Sequence, residues 1–233
     1  MRVVYIGHSG FFIEGNDCCL LFDYYQGEIP EIPQGKPLYI FASHRHHDHF
    51  NPEIFKMNAA AWFLGRDFSL SPGIRAKYGI DDEMHSRCRR MKTDEEIEIG
   101  GIRVRALRST DEGAAFHVQF EGKNIYHAGD LHQWVWREDE NYDLQMTAAY
   151  LKEIEKLRGI AFDAAFLPVD PRQGDDFYLG ADNFIRMHHP EKVFPMHLWE
   201  DYDTIRRFRA HECAEEYKNC IAEINAPGDS FEL

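Results

Sequence analysis

The amino-acid sequence predicts an α/β fold in a single domain spanning residues 1–233. Three observations carry this reading. The first part of the chain is a succession of short β-prone runs punctuated by Gly, Asn and Asp turns. The later part alternates apolar strand-like runs with stretches of helical periodicity. No internal repeat, low-complexity segment or Pro/Gly/Ser-rich linker divides the 233 residues, a length that supports one sizeable core.

In order, residues 2–6 read as a strand, Gly7-His8-Ser9-Gly10 as a turn, and 11–14 as a second strand. Gly15-Asn16-Asp17 then supplies a hairpin turn into a third strand, 18–22, which ends at Asp23. Residues 24–37 form a polar loop with Pro30, Pro33, Gly35 and Pro37. The run 37–43 is apolar and β-prone, so it reads as a buried strand, followed after a short loop by a helix capped by Asn51 with Pro52 in its first turn. Residues 60–64 predict a strand, and 67–84 only weak helix, broken at Pro72-Gly73. Strands follow over 87–91, 96–99 and 102–107, the last two joined by Gly100-Gly101, and then a hairpin, 114–121 and 124–128, around Gly122-Lys123. Leu144, Ala148, Leu151, Ile154 and Leu157 recur at helical spacing over 143–157, ended by Gly159. Residues 164–167 and 193–196 read as strands, 181–187 as a helix stopping before Pro190, and 204–217 as an amphipathic helix.

The loop after the strand 37–43 holds His44-Arg45-His46-His47-Asp48-His49. Four histidines and an aspartate between a buried strand and a capped helix can converge on one point, and imidazole with carboxylate is a first-choice ligand set for divalent transition metals. The paired cysteines of a structural zinc ribbon are absent.

At His44, His46, Asp48 and His49 the chain resembles the metallo-β-lactamase fold superfamily, whose signature is H-x-H-x-D-H. The resemblance implies a four-layer αββα sandwich, with two sheets face to face and helices outside. It also implies two divalent metal ions (Zn, Mn or Fe) held by His44, His46, Asp48, His49, Asp130 and His197. Asp130 follows the strand-like Ile125-Tyr126-His127-Ala128-Gly129 and would bridge the two ions; His197 follows the late strand. Asp23 matches an aspartate that buttresses the histidine loop, although it also reads as an ordinary strand-end turn residue. The Gly-His start at His8 matches the ascorbate-phosphate lactonase-like branch, with pocket lining or a plain turn as its roles. The family's third histidine on the first ion is missing: the loop 108–113 reads Arg-Ser-Thr-Asp-Glu-Gly, so Asp111 is the substitute donor. Asp170, Arg172 and His132 are candidate substrate contacts. His85, His117, His188, His189 and His211 read as non-ligands, the helix-terminal pair placed where positive charge is favourable.

Composition narrows the partners. A formal charge of −14 disfavours nonspecific binding to nucleic acid or an anionic membrane, and no apolar run is long enough to span a bilayer. The five cysteines show no disulfide spacing, and no signal peptide precedes the first strand, which together predict reduced thiols in a cytoplasmic protein. Oligomeric state is left open. The expected function is metal-dependent hydrolysis of a small-molecule substrate: a metal-activated hydroxide attacks a small anionic ester, lactone or phosphodiester, and Asp48 orients it and takes its proton. The alternatives are a non-catalytic or regulatory metal-binding domain with a drifted site, and a redox di-iron protein. β-Lactam hydrolysis and nuclease action do not fit, for want of an export signal and of an inserted domain.

Overall fold

The computed structural model describes residues 1–233 and contains thirteen strands and five α-helices. The first sheet collects β1 (Arg2–Gly7), β2 (Gly10–Glu14), β3 (Cys19–Phe22), β4 (Leu38–Ala42), β5 (Ala61–Leu64) and β6 (Cys88–Arg90). Between the last two lie α1 (Pro72–Tyr78) and α2 (Asp82–Arg87). The second sheet holds β7 (Glu96–Ile99), β8 (Ile102–Arg108), β9 (Ala114–Phe120) and β10 (Lys123–His127). After α3 (Glu140–Glu155) come β11 (Ala164–Pro168), α4 (Leu179–His188), β12 (Lys192–Met196) and α5 (Asp203–Ala210). The last strand, β13 (Ser230–Glu232), returns to the first sheet beside β1.

Strand order is β13-β1-β2-β3-β4-β5-β6 in one sheet and β12-β11-β10-β9-β8-β7 in the other. Each sheet is mixed: hairpins give the antiparallel pairs from β1 to β3 and from β7 to β10, the C-terminal β13 adds antiparallel to β1, and crossovers make β3 to β6 and β10 to β12 parallel. Side chains alternate across the first sheet with the strand period of two. Tyr5, Leu20, Phe22, Tyr39, Phe41 and Phe63 enter the core shared with the second sheet. Their neighbours Val4, Leu21, Ile40, Trp62 and Leu64 face the other way, into a smaller core covered by the segment containing Phe50, Phe55 and Phe68. Phe22, Phe41 and Phe63 stack in a row at 4.5 and 4.9 Å between ring centroids, and Phe11 meets Phe166 of the opposite sheet at 4.5 Å. The expected αββα sandwich is the observed one.

Some local expectations are corrected. Pro72-Gly73 does not break a helix; Pro72 occupies the first turn of α1, where its missing N–H is no loss. The segment after Asn51 is a 3-10 turn over Pro52–Lys56, and the Asn51 side chain accepts from the Glu53 N–H. Helix α3 starts three residues early because Asp139 caps it, accepting from the N–H groups of Asn141 and Tyr142. The helix expected over 204–217 stops at Ala210. His211 is extended, its ring accepts from the Cys213 N–H, and the chain continues as two 3-10 turns towards Ile221, which bridges to Val193. Strand β13 was not foreseen; three residues with exposed Ser230 and Glu232 carry too little pattern.

His188 ends α4 as expected, but not as a favourable positive charge. It is buried, and its Nε2 donates to the Ile154 carbonyl of α3 at 3.1 Å. Burial, aided by the charge of Arg158, lowers its pKa from 6.5 to about 4, so the fold holds it neutral. Between those values the unfolded chain binds the proton and the native chain does not, so this contribution is complete above pH 6.5 and is lost as pH falls through that window to about 4. We expect His188→Gln to melt with a shallower loss of Tm between pH 6.5 and 4 than the parent chain. Parallel Tm-against-pH curves would show that His188 carries none of the acid sensitivity.

Candidate metal centre

The site forms where strands of both sheets end on one edge of the sandwich. β4 runs into Ser43 and the histidine loop, β10 into Gly129-Asp130, β11 into Asp170, β12 into His197, and β1 into His8. Two glycines allow these loops to approach one another. At Gly113 a Cβ would lie 1.9 Å from the Ser43 carbonyl oxygen, and at Gly129 it would lie 2.6 Å from Ser43 Cβ. Both glycines have positive φ, 74° and 50°, so they serve tight turning and close approach together.

Two groups of donor atoms converge there. His44, His46 and Asp130 form one; His8, Asp48, His49 and His197 form the other, and within each group the donor atoms all lie within 4.8 Å of one another. Asp130 stands between them. Its Oδ2 is 3.3 Å from His44 Nε2, while its Oδ1 is 3.1 Å from His49 Nε2 and 3.4 Å from His197 Nε2. Nε2 of His8, His49 and His197, with Oδ1 of Asp48 and Asp130, are buried atoms without a hydrogen-bond partner. So many orphaned polar atoms around one point are the pattern a cation-binding site leaves, since buried polar groups are otherwise paired. The residues present therefore fit a divalent metal.

The outer hydrogen bonds set the ring tautomers. Buried Asp23 accepts from the Ser43 N–H at 2.7 Å, from Ser43 Oγ at 2.6 Å and from His49 Nδ1 at 2.8 Å. Ser43 Oγ, having donated to Asp23, accepts from His44 Nδ1 at 2.9 Å. Both imidazoles thus turn Nε2 inward. Asp170 does the same for His197, accepting its Nδ1–H at 2.7 Å.

The electrostatics follow from burial and neighbours. His44 falls to about 4 through burial and the charge of His49. His8 also falls to about 4, where burial outweighs the attraction of the Asp48 carboxylate. His49 goes the other way: burial disfavours its charge, but Asp130 and Asp23 on either side raise it well above the usual value. Burial likewise opposes ionisation of Asp48, and the neighbouring His8 and His49 imidazoles overcome it, holding the carboxyl below the normal range. Asp111 is raised, by burial and then by the charge of Asp130 beside it.

The centre opens into a cleft of about 460 Å³, whose lining includes Asp48, Asp111, Trp134, Trp136, Arg172 and Trp199. Not every expected contact reaches it. His132 is buried in the wall, its Nε2 bonded to Gln173 Oε1 at 2.7 Å, so it packs and does not line the cleft. Asp170 is fully buried beneath His197 and Arg172, a support and not a contact surface. Arg172 is in the cleft, half-exposed, its guanidinium 4.3 Å from the Trp199 ring. Asp111 lines the cleft as well but belongs to neither converging group. His46, expected as a ligand, does stand in the His44 group and at the cleft, half-exposed and 3.7 Å from Glu112. His8, read as lining or turn, lies inside a donor group; the Gly-His start was its one sequence signal, and nothing in that spacing marked it as a donor.

Residues 2–146 match the family model described as the Beta-lactamase superfamily domain. The chain belongs to that family. Among curated relatives, it is 27% identical to a UPF0173 metal-dependent hydrolase of Pyrococcus furiosus, with all of both chains covered. Its fold is similar to that of Igni18, a metallo hydrolase of Ignicoccus hospitalis (TM-score 0.64, 17% identity, covering 100% of this chain and 98% of that one). It is also similar in fold to CmlA, a diiron β-hydroxylase of Streptomyces venezuelae (TM-score 0.67, 11% identity, covering 100% of this chain and 54% of that one).

Because one Asp23 carboxylate orients both His44 and His49, Asp23→Asn must turn an amide donor towards one of its three donors. We expect metal affinity to fall about 10–100-fold, as for other outer partners of ligand histidines. Competition with a chromophoric chelator checks this; parental affinity would remove Asp23 from the ligand-orienting role.

Proposed function

We propose that this cleft hydrolyses a small anionic ester, lactone or phosphodiester with the aid of two divalent ions, Zn, Mn or Fe. The observation that carries the reading is the disposition of Asp130, whose two oxygens face two different donor groups. His44 and His46 would hold one ion with Asp130, and Asp48, His49 and His197 the other. The hydrolase names of the UPF0173 relatives support the same reading. Bound divalent ions supply Lewis acidity at the electrophile and lower the pKa of water towards about 7.

The chain's own groups do the remaining work. Asp48 is half-buried at the cleft and held ionised, so it can orient the attacking water by accepting its proton. Arg172 presents a fixed cation at the cleft wall, restrained by Asp170 at 3.0 Å and by the Trp199 face, and suits the anionic part of a substrate. Trp134 and Trp136, stacked with centroids 5.9 Å apart, add apolar wall beside Arg172, whose guanidinium lies 6.0 Å from the Trp136 ring.

Asp111 is the chain's candidate for the donor place that the family fills with a histidine. Its carboxyl is raised by burial and by the charge of Asp130, and a cation between the two would remove that repulsion. Asp111→Ala is expected to lose one ion per chain while Asp111→His recovers zinc affinity; unchanged metal content in both would leave Asp111 a turn residue.

The decisive experiment assays carboxyl-ester and phosphodiester hydrolysis with Zn²⁺, Mn²⁺ or Fe²⁺ added. Asp48→Asn should keep its metal and turn over about 10²–10⁴-fold more slowly. An Asp48→Asn chain as active as the parent, or a parent with no metal-dependent activity on either class, would overturn the reading.

A further inference from the structure

We infer that His8 is a fifth protein donor to the ion held by Asp48, His49, His197 and Asp130, which makes the two metal positions strongly unequal. The inference rests on the dinuclear reading above and goes beyond it, because the superfamily motif assigns no ligand to the turn after the first strand.

Four observations converge. First, His8 Nε2 lies within 4.8 Å of the donor atoms of Asp48, His49 and His197. Two donors each about 2.1 Å from one ion lie some 3–4 Å apart, so the spacing matches ligands of a common ion. Second, His8 Nε2 is buried without a hydrogen-bond partner, like the Nε2 atoms of His49 and His197 beside it. Third, its approach to Asp48 Oδ2, 3.4 Å, is too long to be its satisfying bond. The charge-assisted pairs in the same site measure 2.8 Å for His49–Asp23 and 2.7 Å for His197–Asp170. Fourth, the backbone holds His8 there at some cost. Its φ is 51°, uncommon for a residue with a Cβ, and its carbonyl accepts the N–H of His197, itself at φ 66°. The two rings meet at 4.2 Å.

The consequence is an asymmetry of donors. One position collects three imidazoles, the Asp48 carboxylate and the Oδ1 of Asp130, all but Asp48 buried. The other collects His44, the half-exposed His46 and a share of Asp130, plus whatever Asp111 adds. Five protein donors exceed the four of a tetrahedral zinc site and suit ions that take five or six ligands, such as Mn²⁺ or Fe²⁺. The His8 position fills first and tightly; the His44 position fills second and weakly.

His8→Gly tests this cleanly, because glycine adopts φ 51° without strain and the chain should still fold. His8 also lines a second cavity, of about 490 Å³ between Tyr25 and Trp199, through which free imidazole can reach the vacated place. The metal-stripped chain is titrated with Co²⁺, following calorimetry and visible absorption. In the parent we expect two unequal steps. In His8→Gly the tight step should weaken about tenfold or more, its absorption bands should change, and added imidazole should restore them. Parental affinity and spectrum in His8→Gly would overturn the inference. So would weakened binding with an unaltered spectrum or without rescue by imidazole, which would make His8 a partner that positions Asp48. A parent that takes up no Co²⁺ would defeat the dinuclear reading itself, whereas two-ion uptake indifferent to His8 would defeat this inference alone.

Discussion

Asp23 is a fully buried carboxylate, and a buried charge persists only when its lone pairs are met. Here they are met by the Ser43 backbone, the Ser43 hydroxyl and His49, all from the strand that lies beside its own and from the loop that follows. Burial by itself would raise the carboxyl, and the His49 hydrogen bond with the neighbouring imidazoles brings it back below the usual range. The requirement runs in both directions. Asp23 needs those donors to remain charged, and His44 and His49 need Asp23 to present Nε2 inward. Parallel pairing of β3 with β4 is what sets the two partners side by side, so the register Phe22↔Phe41 governs the chemistry as much as the core does.

The same logic is repeated on the opposite sheet. Asp170 follows β11, His197 follows β12, and the register Pro168↔Met196 brings them together. Asp170 also bonds Arg172 and the Trp199 indole, so the group that orients His197 also shapes the cleft wall. Backbone strain collects at these junctions: His8, Asp23, His197 and Trp199 all have positive φ. Strained non-glycine backbone survives where the surroundings over-determine it, and it is concentrated here where strands of two sheets must deliver side chains to one point.

Much of this was legible in the sequence, for identifiable reasons. The strand 37–43, the histidine loop and Gly129-Asp130 carry strong local signals: a buried apolar run, a dense donor motif and a turn glycine before an acid. The β-rich order and most element positions followed from period-two runs between turn residues. What was not legible depended on tertiary context. The helix expected to reach Tyr217 stops at Ala210 because the chain is drawn to Ile221 and β12, which helical periodicity cannot register. Asp170 and His132 read as candidate substrate contacts, His132 with a packed loop as its alternative, and both are covered by elements distant in sequence. His8 sits in an ordinary Gly-His-Ser-Gly turn, and only the fold puts that turn against Asp48 and His197.

These buried, unpartnered atoms have an energetic consequence. An unsatisfied buried polar group costs on the order of 1–3 kcal/mol, and several of them meet at this one point. Asp23 and Asp130 on either side raise the pKa of His49 well above the usual value, against the opposing effect of burial, so a proton there is favoured. On the proposed reading a proton on His49 and a metal ion would compete for the same Nε2, so ion binding would expel the proton and weaken as pH falls. A ligand that binds the native chain and not the unfolded one stabilises it by mass action. On the proposed metal-binding reading, folding, metal uptake and acid sensitivity are therefore one coupled equilibrium, set by how many carboxylates and imidazoles the two sheets bring to one point.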